Sequence, residues 1–349
     1  MRLPCDLHAG LAEIRADLSR ALGRLDRLAL PAANGGETLD AWIKRWLKHR
    51  RVSDIDQERR MYEIWIQPQL GTRPVASIAR VDVESWVERM DRAVVERRIR
   101  DGTAARLWSR LRVMMRDACS SKVQALRVRP DNPTLGVLGP DRSARRAATF
   151  LYPSEFLRLM RCRRIPLWAR RLYAITVYLY PRAGEVTALT WEDLDRSGHV
   201  HIHKSRNRKG HDARTKTEAD RQFIAERAVL PLLRAMRRDR NKGSLFPHIP
   251  QRQNLARMLR QHLRWAGCKR ADLYASDDAR RPLTYHDLRA TGITWQAMRG
   301  DAPTDIMERV GHTQITTTQG YMRRGRLMAR ARGERPFPAL PKCLLRKAT

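Results

Sequence analysis

Between Val128 and Ala148 the chain carries Pro130, Pro133, Gly136, Gly139 and Pro140, followed by Arg142, Arg145 and Arg146. Proline fixes φ and withholds a donor, and glycine is costly to order, so neither a long helix nor a central strand runs through this stretch. The chain is therefore read as two blocks joined by a basic, extended linker at 129–149. Its 349 residues suit that division, at roughly 150 residues per domain.

The first block, 37–128, reads as helix throughout. Thr38 caps a segment carrying Leu39, Trp42, Ile43, Trp46 and Leu47, and Pro68, Gly71 and Pro74 mark a turn-rich connection before Val81 to Met90. From Thr103 to Ser121 an amphipathic helix is predicted, with Leu107, Leu111, Met114 and Met115 inward and Arg106, Arg110, Arg112 and Arg116 toward solvent. The second block, 150–325, opens with Pro153 at a helix start and a long apolar helix from Leu167 to Tyr180. Only here do strand signals occur, at Leu189–Trp191, Val200–His203 and Arg221–Ala225, with a very basic loop at Ser205–Lys216. Helices resume from Glu226 onward. The fold class is thus mainly α with a small antiparallel β-sheet.

Two extensions flank these blocks. In 1–36, Leu7, Leu11, Ile14, Leu18, Leu22, Leu25 and Leu28 form one apolar helical stripe with nearly balanced charge, suited to packing against protein rather than phosphate. The 326–349 tail, with Phe337, Leu340, Leu344 and Leu345 among prolines, is apolar enough to dock on a neighbouring copy.

Charge narrows the partner. Lys and Arg number 70 against 37 Asp and Glu, a net charge of +33, on a chain apolar enough to fold. Membrane readers concentrate charge on one amphipathic helix, whereas arginine here is spread along the chain, which favours nucleic acid. No run approaches a membrane span and no short apolar core with a cleavage site follows Met1, so the expected location is the cytoplasm, at the nucleoid. The five cysteines lie far apart, excluding a CxxC zinc site. His201 and His203 form an HxH pair, but with no carboxylate or cysteine nearby they are read as a solvated strand face. With no phosphate-cradling glycine loop either, neither a metal nor a cofactor is expected.

The chemistry concentrates in Arg182 and Glu185 after the apolar helix, Lys216 in the basic loop, His286 and Arg289 one helical turn apart, and His312 with Tyr321. Two guanidiniums, two imidazoles and a phenol converging point to a phosphodiester site. In order, Thr284-Tyr285-His286-Asp287-Leu288-Arg289-Ala290-Thr291-Gly292 and Val310-Gly311-His312-Thr313 through Tyr321 resemble the tyrosine recombinase (phage integrase) family. Arg182-Ala183-Gly184-Glu185-Val186 and Leu189-Thr190-Trp191-Glu192-Asp193 resemble that family's first box, and Pro68-Gln69-Leu70-Gly71 its P-x-L-G turn. One departure stands out: where the family carries Thr-Gly before the first arginine, this chain has Leu179-Tyr180, then Pro181.

The resemblance implies a core-binding (SAM-like) domain at 37–128 and a catalytic domain at 150–325, forming a C-shaped clamp on double-stranded DNA. It implies that Tyr321 attacks a DNA phosphorus, giving a 3′-phosphotyrosine and a 5′-hydroxyl. A tyrosine phenol is ionised in only about one molecule in a thousand at pH 7, so such a site must help remove the proton. Arg182 and Arg289 would bind the non-bridging oxygens, His286 would accept the phenol proton, His312 would hold the phosphate, and Glu185 would orient Arg182. Lys216, preferred to Lys209 or Lys204 because Lys216-Thr217 precedes Arg221-Gln222-Phe223-Ile224 as in the family's K-T…R-x-V, would protonate the leaving oxygen. Arg106, Arg110, Arg142, Arg145, Arg146, Arg206 and Arg208 are expected DNA contacts. The implied assembly is a homotetramer on two duplexes, with accessory DNA-bending or directionality proteins as further partners. The expected activity is metal- and ATP-independent site-specific recombination for a mobile element, and the alternatives are a chromosome-dimer-type resolvase and a type IB topoisomerase-like nicking and closing enzyme.

Overall fold

The computed structural model describes residues 36–52, 54–143, 149–207, 210–214 and 220–347. The expected helix at 7–28 and the cations Arg145, Arg146, Arg208, Lys209 and Lys216 lie outside the described residues. The chain divides into two compact units, Met1–Ala144 and Arg145–Thr349.

In the first unit Thr38 accepts from the Ala41 amide at 3.3 Å to start α1 (Leu39–His49), and Asp54 accepts from the Gln57 amide at 3.1 Å to start α2 (Ile55–Trp65). Each cap satisfies a helix amide that has no partner within the helix. Pro68 falls in the first turn of the short α3 (Gln67–Leu70), where its missing N–H costs nothing. Helices α4 (Arg80–Val95) and α5 (Asp101–Ser120) complete the unit. Leu107, Leu111, Met114 and Met115 of α5 are buried as their spacing requires, beside stacked Trp86 and Trp108 and stacked Trp42 and Trp46. The indole N–H of Trp42 donates to the Leu126 carbonyl at 2.9 Å and that of Trp86 to the Trp65 carbonyl at 2.8 Å, so these rings bury area without leaving a donor unpaired. Arg129, the first residue of the stretch read as linker, is buried and donates to the Val75 carbonyl at 3.0 Å. Further along, Gly139 lies so close to the Trp108 ring that a side chain there would overlap it, so this end of the stretch packs on the helical unit.

The second unit is built on α6 (Pro153–Arg161), α7 (Leu167–Leu179), the short α8 (Ala183–Ala188), α9 (Leu230–Asp239), α10 (Arg252–Trp265), α11 (His286–Arg299), α12 (Pro303–Val310) and α13 (Ile315–Arg332). Two antiparallel ribbons lie between α8 and α9. In one, β1 (His199–Ile202) pairs with β4 (Arg221–Ile224), Val200 opposite Phe223; in the other, β2 (Lys204–Arg206) pairs with β3 (Asp212–Arg214). Two expectations are corrected here. Leu189–Trp191 is not a strand: Thr190 makes a single bridge to Ser244, and Trp191–Asp193 is a turn of 3-10 helix held by the Asp193 carboxylate on the Thr190 amide at 2.8 Å. The Ser205–Lys216 stretch is not all loop, because Ser205 and Arg206 pair with Ala213 and Asp212.

Helix α11 is the buried axis of this unit, with every residue from Asp287 to Ala297 inside. It crosses the end of α7 at Gly292, where a Cβ would overlap the Val177 carbonyl and come within 2.7 Å of Tyr180 Cδ1. Helix α13 packs on it at Gly325, where a Cβ would lie 2.6 Å from that of Ala297. The tail also departs from expectation. It packs on its own unit, where Phe337 sits against Tyr178 and Trp295, Glu334 accepts from the Ser154 amide at 2.8 Å, and Arg171 donates to the Leu344 carbonyl at 3.1 Å. Among the described residues no helix is long and apolar enough to cross a membrane.

Candidate active site

The sharp exit from α7 creates the site. Tyr180, standing where the family pattern carries glycine, adopts φ +55°, a left-handed conformation costing an L-residue roughly 1–2 kcal/mol. Its ring packs on Phe223, its hydroxyl donates to Glu226 at 2.8 Å and its carbonyl accepts from Arg289, which together offset that cost. Pro181 then turns the chain so that Arg182 caps α8. The Arg182 amide and Nη1 donate to Glu185 at 2.7 and 2.8 Å, and Nη2 donates to the Gly311 carbonyl at 3.0 Å.

Arg289 projects from the first turn of α11 and is buried. Its guanidinium donates to the carbonyls of Tyr180 and Val310, tying the α7 exit to the end of α12. Burial, and then the charges of Arg221 and Arg182, push it below the ordinary arginine range. Glu185 is 1% exposed, and burial alone would raise its carboxyl. The hydrogen bonds and charge of Arg221, with Arg289 and the Arg182 amide, instead hold it at about 2, so it is a fixed anion at neutral pH.

Gly311 ends α12 at φ +66° and delivers His312, whose Nδ1 lies 2.9 Å from Thr318 Oγ1. The His312 ring stacks on Tyr321 with centroids 5.9 Å apart and planes 22° apart. Surrounding protein, then Arg289, Arg182 and Arg221, depress the His312 imidazole to about 4. His286 opens α11 and keeps a face to solvent. Desolvation, and then repulsion by Arg289, lower it too. Both imidazoles are thus neutral at pH 7, among guanidiniums that are not. The structure therefore gathers Arg182, Glu185, His286, Arg289, His312 and Tyr321 around one locus, whereas Lys216 lies outside the described residues. Lys204, the alternative lysine, is held by Asp193 at 3.2 Å.

Two residues escaped the sequence reading as parts of this locus. Arg221, at the start of β4 on its buried side, grips Glu185 with Nη1 at 3.3 Å and Nη2 at 2.5 Å. The alternation Arg221, Phe223 inward with Gln222, Ile224 outward was its available signal. Arg281, paired with Asp287 at 2.6 Å, lies within electrostatic range of Tyr321. One premise is corrected: His201 and His203 do have carboxylates nearby, Asp220 and Asp193, each at 3.7 Å. No group of three such residues suited to a metal ion occurs among the described residues.

The expected DNA contacts fall into two kinds. Arg106 and Arg142 are exposed, and Arg106 donates to the Gly102 carbonyl of its own helix. Arg110 is paired with Glu58 at 2.9 Å and Arg206 with Asp212 at 2.7 Å.

The sequence profile of the phage integrase family matches residues 149–326, half of the chain and the whole of this locus. The chain belongs to the phage integrase family. As a member it is a tyrosine recombinase, a DNA strand transferase. No curated protein sequence matches the chain. Among solved structures, the Tn1549 transposon integrase in complex with a circular intermediate DNA is 18% identical, with a TM-score of 0.64 over 81% of this chain and 94% of that one. A lambda integrase dimer bound to a COC′ core site is 16% identical, with a TM-score of 0.61 over 85% of this chain and 97% of that one. A lambda integrase tetramer bound to a Holliday junction is 15% identical, with a TM-score of 0.62 over 87% and 81%. At these identities the likeness concerns the fold.

Proposed function

We propose that this recombinase serves a mobile element, cleaving and rejoining double-stranded DNA through a 3′-phosphotyrosine at Tyr321. The observation that carries the reading is the stacking of Tyr321 on His312, whose flanking residues Val310 and Gly311 accept from buried Arg289 and half-buried Arg182 respectively. The Tyr321 oxygen attacks phosphorus as the bond to the 5′-oxygen breaks, and one diester replaces another, so no external energy source enters. His286, neutral at pH 7, accepts the phenol proton. Arg182 and Arg289 bind the non-bridging oxygens, where guanidinium matches phosphate in shape and charge. The Thr318 hydroxyl, 2.9 Å from His312 Nδ1, can donate to it, and in that tautomer the neutral imidazole keeps its proton on Nε2 for the phosphate. Lys216 protonates the leaving 5′-oxygen.

DNA is held by both units, through Arg106, Arg110, Arg142, Arg145, Arg146, Arg206 and Arg208. The ion pairs of Arg110 and Arg206 exchange a carboxylate for phosphate on binding. Strand exchange between two duplexes calls for four active sites, and the lambda integrase structure on a Holliday junction is a tetramer. The Tn1549 neighbour, a transposon integrase on a circular intermediate, supports the mobile-element role over chromosome-dimer resolution. The site of action is the cytoplasm, at the nucleoid.

The test is covalent trapping on a nicked suicide duplex carrying the element's end sequence, run without added metal. Wild type is expected to form an SDS-stable adduct through a 3′-phosphate and Tyr321→Phe none. An equal adduct from Tyr321→Phe would remove Tyr321 as nucleophile, and relaxation of supercoils without site preference would favour the topoisomerase-like alternative.

A further inference from the structure

We infer that Arg221 is a positioning residue for strand transfer, holding the Glu185 carboxylate so that Arg182 and Arg289 stay directed at the scissile phosphate. The inference rests on the function proposed above. Arg221 is 5% exposed and reaches Glu185 with both terminal nitrogens, at 3.3 and 2.5 Å. The same carboxylate accepts from the Arg182 amide and Nη1 at 2.7 and 2.8 Å, and Arg289 Nη1 stands 3.9 Å away. Three guanidiniums around one carboxylate leave two positive charges. A pentacoordinate phosphorane approaches two negative charges where the diester has one, so this excess matches the transition state. Without Arg221 the excess falls to one, and Glu185 is free to close on Arg182.

Two further observations separate this role from packing. Among the described residues Arg221 Nε is buried with no hydrogen-bond partner, a state that costs roughly 1–3 kcal/mol and that an apolar side chain of similar volume would not incur. In addition, Gly311 lies against the Arg221 side chain: a Cβ at Gly311 would lie 3.3 Å from Arg221 Cδ and Nη1, while the Gly311 carbonyl accepts from Arg182. The turn that delivers His312 is therefore braced by Arg182 on one side and Arg221 on the other. Through one carboxylate and one glycine, Arg221 sets the positions of Arg182, Arg289 and His312.

The experiment measures single-turnover adduct formation by wild type, Arg221→Met and the double variant Arg221→Met with Glu185→Gln. Each is run on a suicide duplex with an ordinary scissile phosphodiester and on one with an uncharged methylphosphonate there. In parallel, the His312 imidazole is titrated by NMR. Arg221→Met is expected to lose on the order of tenfold to a hundredfold on the diester and far less on the methylphosphonate, which needs less countercharge. The double variant is expected to recover most of the loss, and the His312 midpoint to rise in the single variant and return in the double. Equal losses on both substrates, no recovery in the double variant, or wild-type rates in Arg221→Met would each overturn the inference. If Arg221→Met does not fold, the double variant decides alone, since losing one guanidinium and one carboxylate charge together restores the wild-type excess of two positive charges; its inactivity on the diester would be fatal. A wild type that forms no adduct on either substrate would instead sink the proposed function, while the His312 titration still shows whether Arg221 holds the cluster.

Discussion

Arginine does two different jobs in the two units. Around Glu185, Arg289 and Arg221 are buried and each guanidinium is committed to carbonyls or carboxylate oxygens. On the helical unit Arg106 and Arg142 stand in solvent. The buried set has its geometry fixed before any DNA arrives, so its charge acts in a low-dielectric setting without reorganisation. The exposed set is screened by salt and tolerant of position, which suits gripping a backbone. Sequence composition counts both alike.

The sharpest way to break this contrast is Arg289→Lys. An ammonium is a point donor and cannot span the Tyr180 and Val310 carbonyls while facing a phosphate. Adduct formation should fall on the order of a hundredfold or more, by analogy with loss of other oxyanion donors. A loss under about threefold would mean that fixed geometry is not what this arginine supplies.

Gly292→Ala tests the scaffold that fixes that geometry. The added methyl meets the Val177 carbonyl and the Tyr180 ring, at the same crossing that sets the Arg289 bond to Tyr180. Overpacking of this kind costs typically 1–3 kcal/mol, and here the obstacle is backbone, so the upper end or beyond is expected. Thermal melting of the isolated variant should show the loss, with adduct formation falling beside it; an unchanged melting temperature would show that α7 and α11 can part cheaply.

These residues mark where the sequence was legible and where it was not. The helix carrying His286 and Arg289, the cap at Thr38, the helix start at Pro153 and the inward face of α5 follow from spacing and local chemistry, which act over a few residues. Tyr180 could be flagged as a departure but not seen as a left-handed residue, because its compensation comes from Phe223, Glu226 and Arg289, all distant in sequence. Arg221 shows in the sequence only as the arginine of K-T…R-x-V, since its partner Glu185 lies 36 residues away. The tail read as free to dock elsewhere because nothing local reveals that Tyr178 and Trp295 await Phe337.

A pH series separates the two arginine sets by their neighbours. His286 and His312 lie below the ordinary imidazole range, His312 at about 4, so both are neutral in the fold at pH 7. In the unfolded chain they take up protons near pH 6.5. Between there and about 4 the unfolded state binds more protons, so this stability is fully present above 6.5 and is lost as pH falls through that window. Adduct formation should decline as pH falls below the ordinary imidazole range, where His286 protonates and ceases to be a base, followed by rapid quench against pH. DNA affinity at the exposed arginines should stay flat there; parallel decline of both would erase the distinction.

The smallest effect is expected on the exposed set itself. If about ten phosphates are neutralised, log affinity should fall with log salt at a slope near −9. Arg106→Gln and Arg142→Gln should each make that slope shallower by about one and weaken binding at low salt alike across sequences, with single-turnover chemistry unchanged at saturating protein. Titration of labelled duplex at four or five salt concentrations reads this directly. Arg110→Gln should change the slope less, because in the free protein Arg110 is already paired with Glu58, a carboxylate it shares with Arg50, and binding must first draw it away. A slope change for Arg110 equal to that for Arg106 would mean that the ion pair is weak enough to be ignored in solution, and that exposed and paired arginines on this unit belong to one class.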